Sequence, residues 1–209
     1  MIRLLNRSAL LVVAMWHTTI FAEVPAEDLQ VRESFQNLQT SLKQRDVNAS
    51  LEKLSSKTKD YYELLSQIAQ NSDETDLSKL SPLNRLMVET VKGALPPSFW
   101  KDKDPSILLQ TAIAKGLVGR ELTDDLKLGN IQIDGDKASA ELLKDGKLSA
   151  LKLGFRREAG NWKVHLLSLF EQANAMTEAI MKRLGMNNEE FAKGLKSRFG
   201  KKPTANETK

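Results

Sequence analysis

The chain has 209 residues, a formal charge of +4 and no cysteine. Such a small excess of Lys and Arg gives no electrostatic footprint for nucleic acid, so no nucleic-acid partner is expected. The missing thiols exclude a disulfide framework and a lipidated N-terminal cysteine, and with His17 and His165 as its two histidines the chain lacks the usual ligand set for zinc.

In chain order, Arg3 and Arg7 precede an apolar run from Ala9 to Ala22 that is interrupted only by His17, Thr18 and Thr19. The run is shorter than the roughly 20 apolar residues of a spanning helix. Residues 1–22 therefore read as a signal peptide, and the protein is expected to be exported, periplasmic or secreted. The remaining chain is long enough for one domain with a sizeable core, residues 23–199, and a basic disordered tail, residues 200–209.

Val31, Phe35, Leu38 and Leu42 recur at three- and four-residue spacing and predict an amphipathic helix over 26–45. After a break near Asp46, Leu51, Leu54, Thr58, Tyr61, Leu65 and Ile68 continue the pattern, which places Tyr61 toward the core. Ser81-Pro82 and Asp104-Pro105 each supply a cap and a first-turn proline. The helices they open carry Leu83, Leu86, Met87 and Val91, and Leu108, Leu109, Ala112 and Ile113. The pair Phe99-Trp100 lies in the connection between them and reads as a plug for one end of the domain or as a ligand contact.

From Asn130 to Leu169 three glycine-containing turns, Asp134-Gly135-Asp136, Asp145-Gly146 and Ala159-Gly160-Asn161, separate four short strands. Turns at such intervals predict an antiparallel meander in sequential order. Alternation puts Ile131, Ile133, Ala138, Ala140, Leu142, Leu151, Leu153, Phe155, Trp162, Val164 and Leu166 on one apolar face. Gln132, Ser139, Glu141, Lys152, Arg156, Lys163 and His165 fall on the other, solvated face. Leu143 and Leu167 interrupt that polar face, so Leu143, His165 and Leu167 are candidates for an interface, with a homodimer through the sheet as one form of it. Residues 171–184 and 187–199 read as helices divided at Gly185, the second opened by a capping box of Asn187 and Glu190. Basic residues around Phe191, Leu195 and Phe199 make this last helix a candidate for contact with an anionic membrane surface.

Helices followed by a meander with Gly135-Asp136 and Ala138 at one turn, and with Phe155 to Val164 over its last two strands, resemble small exported bacterial proteins of the nuclear transport factor 2-like superfamily. The resemblance implies an α+β fold, with N-terminal helices packed on a curved four-stranded antiparallel meander that wraps them into a cone. The helical C-terminal extension, from about residue 171, is an addition to that pattern. The superfamily mixes enzymes, carriers and interaction modules, so fold alone does not assign a function.

The residues themselves leave three classes open. A non-catalytic binding or accessory protein would hold an apolar small molecule in the cone, near Tyr61, Phe99, Trp100, Phe155 and Trp162, or would present the outer sheet face to a protein partner. An isomerase- or hydrolase-like enzyme would need a polar group inside the cone, for which Asp60 and Tyr61 are the nearest choices. A membrane-surface interaction protein would use the basic C-terminal helix. No catalytic constellation, metal site or cofactor motif stands out, and Asp134-Gly135-Asp136 lacks the further oxygen ligands of a calcium loop.

Overall fold

The computed structural model describes residues 26–71, 80–95, 106–116 and 125–188, with Leu77, Phe99, Asp104, Val118, Leu122, Glu190, Phe191 and Gly194 as single positions between and beyond them. The expected signal peptide, Trp100, most of the expected basic C-terminal helix and the tail lie outside the described residues.

The fold is α+β. Among the described residues, helices α1 (Ala26–Gln44), α2 (Val47–Lys53), α3 (Ser56–Asn71), α4 (Pro82–Ala94) and α5 (Ser106–Ala114) precede strands β1 (Leu126–Asp134), β2 (Lys137–Lys144), β3 (Lys147–Glu158) and β4 (Asn161–His165); α6 (Leu167–Leu184) follows the sheet, and Asn188, Glu190, Phe191 and Gly194 beyond it are helical as well. The sheet is an antiparallel meander in the order β1-β2-β3-β4. Its turns place Gly135, Gly146 and Gly160 at positive φ, where a β-carbon would be strained.

The expected stripe of α1 is buried as Val31, Phe35, Leu38 and Leu42. It meets Ala138, Ala140, Leu142, Leu153, Phe155 and Val164 from the sheet. Polar side chains of α1 reach both edges of the sheet. Ser34 donates to the Trp162 carbonyl of β4 at 2.7 Å, while the Arg32 guanidinium donates to the carbonyls of Leu128 and Gly129 in β1, each at 2.8 Å. Because β1 and β4 are the outermost strands, α1 crosses the whole inner face.

The Arg32 contacts explain an irregularity that alternation did not show. Leu128 pairs with Leu142 and Ile131 with Ala140, so one extra residue of β1 stands opposite Glu141. A bulge of this kind frees backbone groups from the ladder, and Arg32 takes up two of the carbonyls. The strand therefore begins at Leu126, four residues before the expected start, and Leu128 joins the core.

Two helical expectations are corrected in detail. The break between α2 and α3 falls at Leu54, which forms a parallel bridge with Val164 beside β4. An extended residue there resets the helical phase. Tyr62, Leu65 and Ala69 are the buried apolar positions of α3, while Tyr61 packs against the core as expected but stays half-buried and donates through its hydroxyl to Asn84 Oδ1 of α4 at 2.7 Å. At the other end of the sheet, α6 starts at Leu167, not near 171, so Leu167 and Leu169 belong to a helix and not to the sheet. The last strand stops because Ser168 turns back, its hydroxyl donating to the His165 carbonyl at 2.8 Å.

Candidate functional site

A pocket inside the cone is expected to be lined by Tyr61, Phe99, Trp100, Phe155 and Trp162, of which Trp100 lies outside the described residues. Phe155 and Trp162 are buried in the main core. Trp162 also carries the Arg157 guanidinium over its ring, 4.6 Å from the centroid. Tyr61 packs edge-on to Tyr62 and tilted against Phe170 of α6, with ring centroids 5.9 and 5.6 Å apart. Phe99 is half-buried. The structure thus brings Tyr61 beside Phe170 but uses Phe155 and Trp162 as packing within the main core. Asp60 is exposed on α3. Burial pushes the Tyr61 hydroxyl up to about 12 and raises Tyr62 further, which keeps both neutral as hydrogen-bonding and packing groups.

Among the described residues, buried side-chain N–H groups without a hydrogen-bond partner occur on both sides of the sheet, Trp162 Nε1 in the core and Arg156 Nε on the outer face. His165 was expected among solvated residues; it is buried, 5% exposed. Parity does put it on the outer face, but the α2–α3 junction closes over it, with the Ser55 N–H donating to the Val164 carbonyl at 3.0 Å. The wholly buried Ser55 hydroxyl lies 2.9 Å from His165 Nδ1 and 3.0 Å from Thr58 Oγ1. Burial, with the Arg156 charge next, holds His165 below its ordinary range.

The first turns of α6 cover the edge of β3 beyond the end of β4. The Ser168 hydroxyl accepts from the Gly154 N–H at 2.8 Å, and the Gln172 amide pairs with both backbone groups of Lys152, accepting at 3.0 Å and donating at 2.7 Å. Gly154 is required here, because a β-carbon would stand 2.9 Å from Ser168. An open groove of about 360 Å³ remains between this face and α6, lined among others by Lys152, Arg156, His165, Glu171 and Gln172. Two other grooves, of about 400 and 410 Å³, lie outside the core along α1.

The second feature of this side is the far half of α6. Leu169, Ala173, Met176, Ile180 and Leu184 fall on one stripe at three- and four-residue spacing. Leu169 packs against the core, whereas Met176, Ile180 and Leu184 are 46%, 42% and 59% exposed. The body stays in contact with the helix as far as Met181, which is buried, so these three side chains lie on a stripe beside the packed side of the helix, which runs through Phe170, Asn174 and Met181. Of the expected interface residues, Leu143 is half-buried and pairs across the ladder with Leu148, which is exposed; Leu167 is half-buried at the start of α6.

Ser55, Gln172 and the α6 stripe were missed as functional positions. The spacing of Met176, Ile180 and Leu184 was visible in the sequence, but their exposure depends on which side of the helix meets the body, where Met181 is buried. Among the described residues no three His, Asp or Glu side chains come together as a metal set, and no helix is long and apolar enough to cross a membrane. Comparison of the chain with protein-family models, curated proteins and solved structures finds no match.

Proposed function

We infer that the protein is an exported, non-catalytic binding protein that engages a protein partner through α6 and the adjoining outer side of the sheet. The observation that carries this reading is the run of Met176, Ile180 and Leu184, three large apolar side chains exposed on the stripe that packs against the body at Leu169. Contiguous exposed apolar surface of this kind marks an interaction site. The inner face supports the same reading from the other side, because Leu153, Phe155 and Val164 are packed against α1, where a carrier would hold its ligand. Helices laid across a four-stranded meander also support membership of the nuclear transport factor 2-like superfamily, with α6 as an added docking element.

The test compares the mature protein and its Ile180→Asp variant by size-exclusion chromatography of extracts from the host and of purified protein. The wild type is expected to elute in a larger complex from the extract, and Ile180→Asp as a free monomer with an unchanged melting temperature, since the site is exposed. A wild-type protein that elutes as a bare monomer from both sources, or a variant that keeps its complex, overturns the reading. Met181→Ala is the contrasting control: Met181 is buried, and its truncation costs about 2–5 kcal/mol of stability.

A further inference from the structure

The groove between the outer sheet face and α6 has a chemistry separate from the apolar stripe. Lys137, Arg156 and Lys163 are paired across three strands, so three cations stand in one row on this face. Like charges directly opposite one another repel. Lys163 finds an acceptor in the Glu52 carbonyl, 2.6 Å away. Arg156 finds none: its guanidinium makes no hydrogen bond or ion pair with any described residue, and its Nε is sealed from solvent without a partner. Asp134 and Glu171 also line the groove, yet neither reaches Arg156 as an ion pair.

A guanidinium with a buried, unpaired N–H is unfavourable in the free protein, because it has lost water without gaining an acceptor. His165 stands in the same groove with Nδ1 held by Ser55 and with no bond to Nε2 among the described residues. When the Ser55 hydroxyl donates to Nδ1, the ring proton sits on Nε2 and makes a second donor. No side chain caps α6 at Leu166, so the positive end of the helix stands next to Ser168, which lines the groove. The volume, about 360 Å³, is that of a small-molecule site.

We propose that this groove binds a small soluble oxyanion, a carboxylate or a phosphate, anchored by the Arg156 guanidinium and oriented by His165 Nε2. Arginine suits this role because its planar fork offers two parallel N–H donors to a carboxylate or phosphate edge. Lys137 and Lys152 add charge at longer range, and Glu171 opposes it.

The experiment tracks the Arg156 Nε–H signal and the backbone amides of β3, β4 and the first turn of α6 by ¹⁵N–¹H NMR. Inorganic phosphate and acetate are titrated separately, with chloride at matched ionic strength as the reference. Saturable shifts confined to those residues are expected, with the tighter of the two anions identifying the ligand class. Arg156→Lys keeps the charge but not the fork and is expected to weaken binding about tenfold, equivalent to about 1.4 kcal/mol. Glu171→Gln is expected to tighten it. Ile180→Asp leaves the titration unchanged, which separates this site from the α6 reading. Shifts that chloride reproduces, shifts spread over exposed lysines, or an Arg156→Lys variant that binds as the wild type does would overturn the proposal.

Discussion

The imidazole of His165 is tied to the hydroxyl of Ser55, Nδ1 to Oγ at 2.9 Å, across 110 positions of sequence. The same hydroxyl accepts from the Thr58 N–H at 3.3 Å at the start of α3. One buried serine therefore joins a helix start to the end of the last strand.

Stability should depend on pH through this pair. Burial lowers the His165 pKa from its ordinary 6.5, so the folded state binds its proton less readily than the unfolded chain does. Stability is then complete above about pH 6.5 and is lost as pH falls below it, toward the folded pKa. Arg156 and Lys57 reinforce the shift, and Glu171 and Glu158 oppose it. Urea unfolding at neutral pH and at mildly acidic pH should show the wild type weakening and His165→Gln weakening less. Equal slopes for the two proteins would refute the assignment. Ser55→Ala should cost about 1–2 kcal/mol at neutral pH, through the lost helix cap and the unpaired imidazole.

Contact between Gly154 and Ser168 sets the position of α6. Gly154→Ala should lower stability by about 1–3 kcal/mol, because its β-carbon would stand 2.9 Å from the Ser168 side chain and must push the helix away. Ser168→Gly alone should also destabilise, by removing the acceptor for the Gly154 N–H. Together the two changes should cost less than their sum, since the clash is gone. A double-mutant cycle measures this directly, and strict additivity would show that α6 is held elsewhere.

The two tyrosines of the chain should ionise late. Burial pushes Tyr61 up to about 12 and raises Tyr62 further, with the Tyr61 charge adding to the rise in Tyr62. The unfolded chain ionises its tyrosines near pH 10, so native stability should fall as pH rises from about 10. Ultraviolet titration should show no phenolate at pH 10 in the folded protein. Tyr61→Phe should remove the earlier of the two transitions and cost about 1 kcal/mol through the lost bond to Asn84.

Local rules explain why much of the fold was legible. Ser81 accepts from the Asn84 N–H at 3.4 Å as the helix cap expected of Ser81-Pro82, and Asn187 with Glu190 forms the reciprocal box, each bond 2.9 Å. Period-two alternation placed Ala138, Ala140, Phe155 and Val164 on the buried face, because backbone geometry alone sends them there. The bulge opposite Glu141 was not legible, since it is held by Arg32, about a hundred residues earlier in the chain.

The candidate site was less legible than the fold for the same reason. Sequence parity put His165 and Arg156 on the outer face, and that placement stands. Whether an outer-face residue meets water depends on what crosses it: the α2–α3 junction buries His165, and α6 leaves Arg156 half-covered without an acceptor. In α6 the spacing of Leu169, Met176, Ile180 and Leu184 determined a single apolar stripe, but the way the helix is seated decided that Met181 is buried while Met176, Ile180 and Leu184 are exposed. Turns, caps and periodicity are encoded within a few residues and can be read in order. Burial is a property of two surfaces brought together, and only the tertiary structure contains the second one.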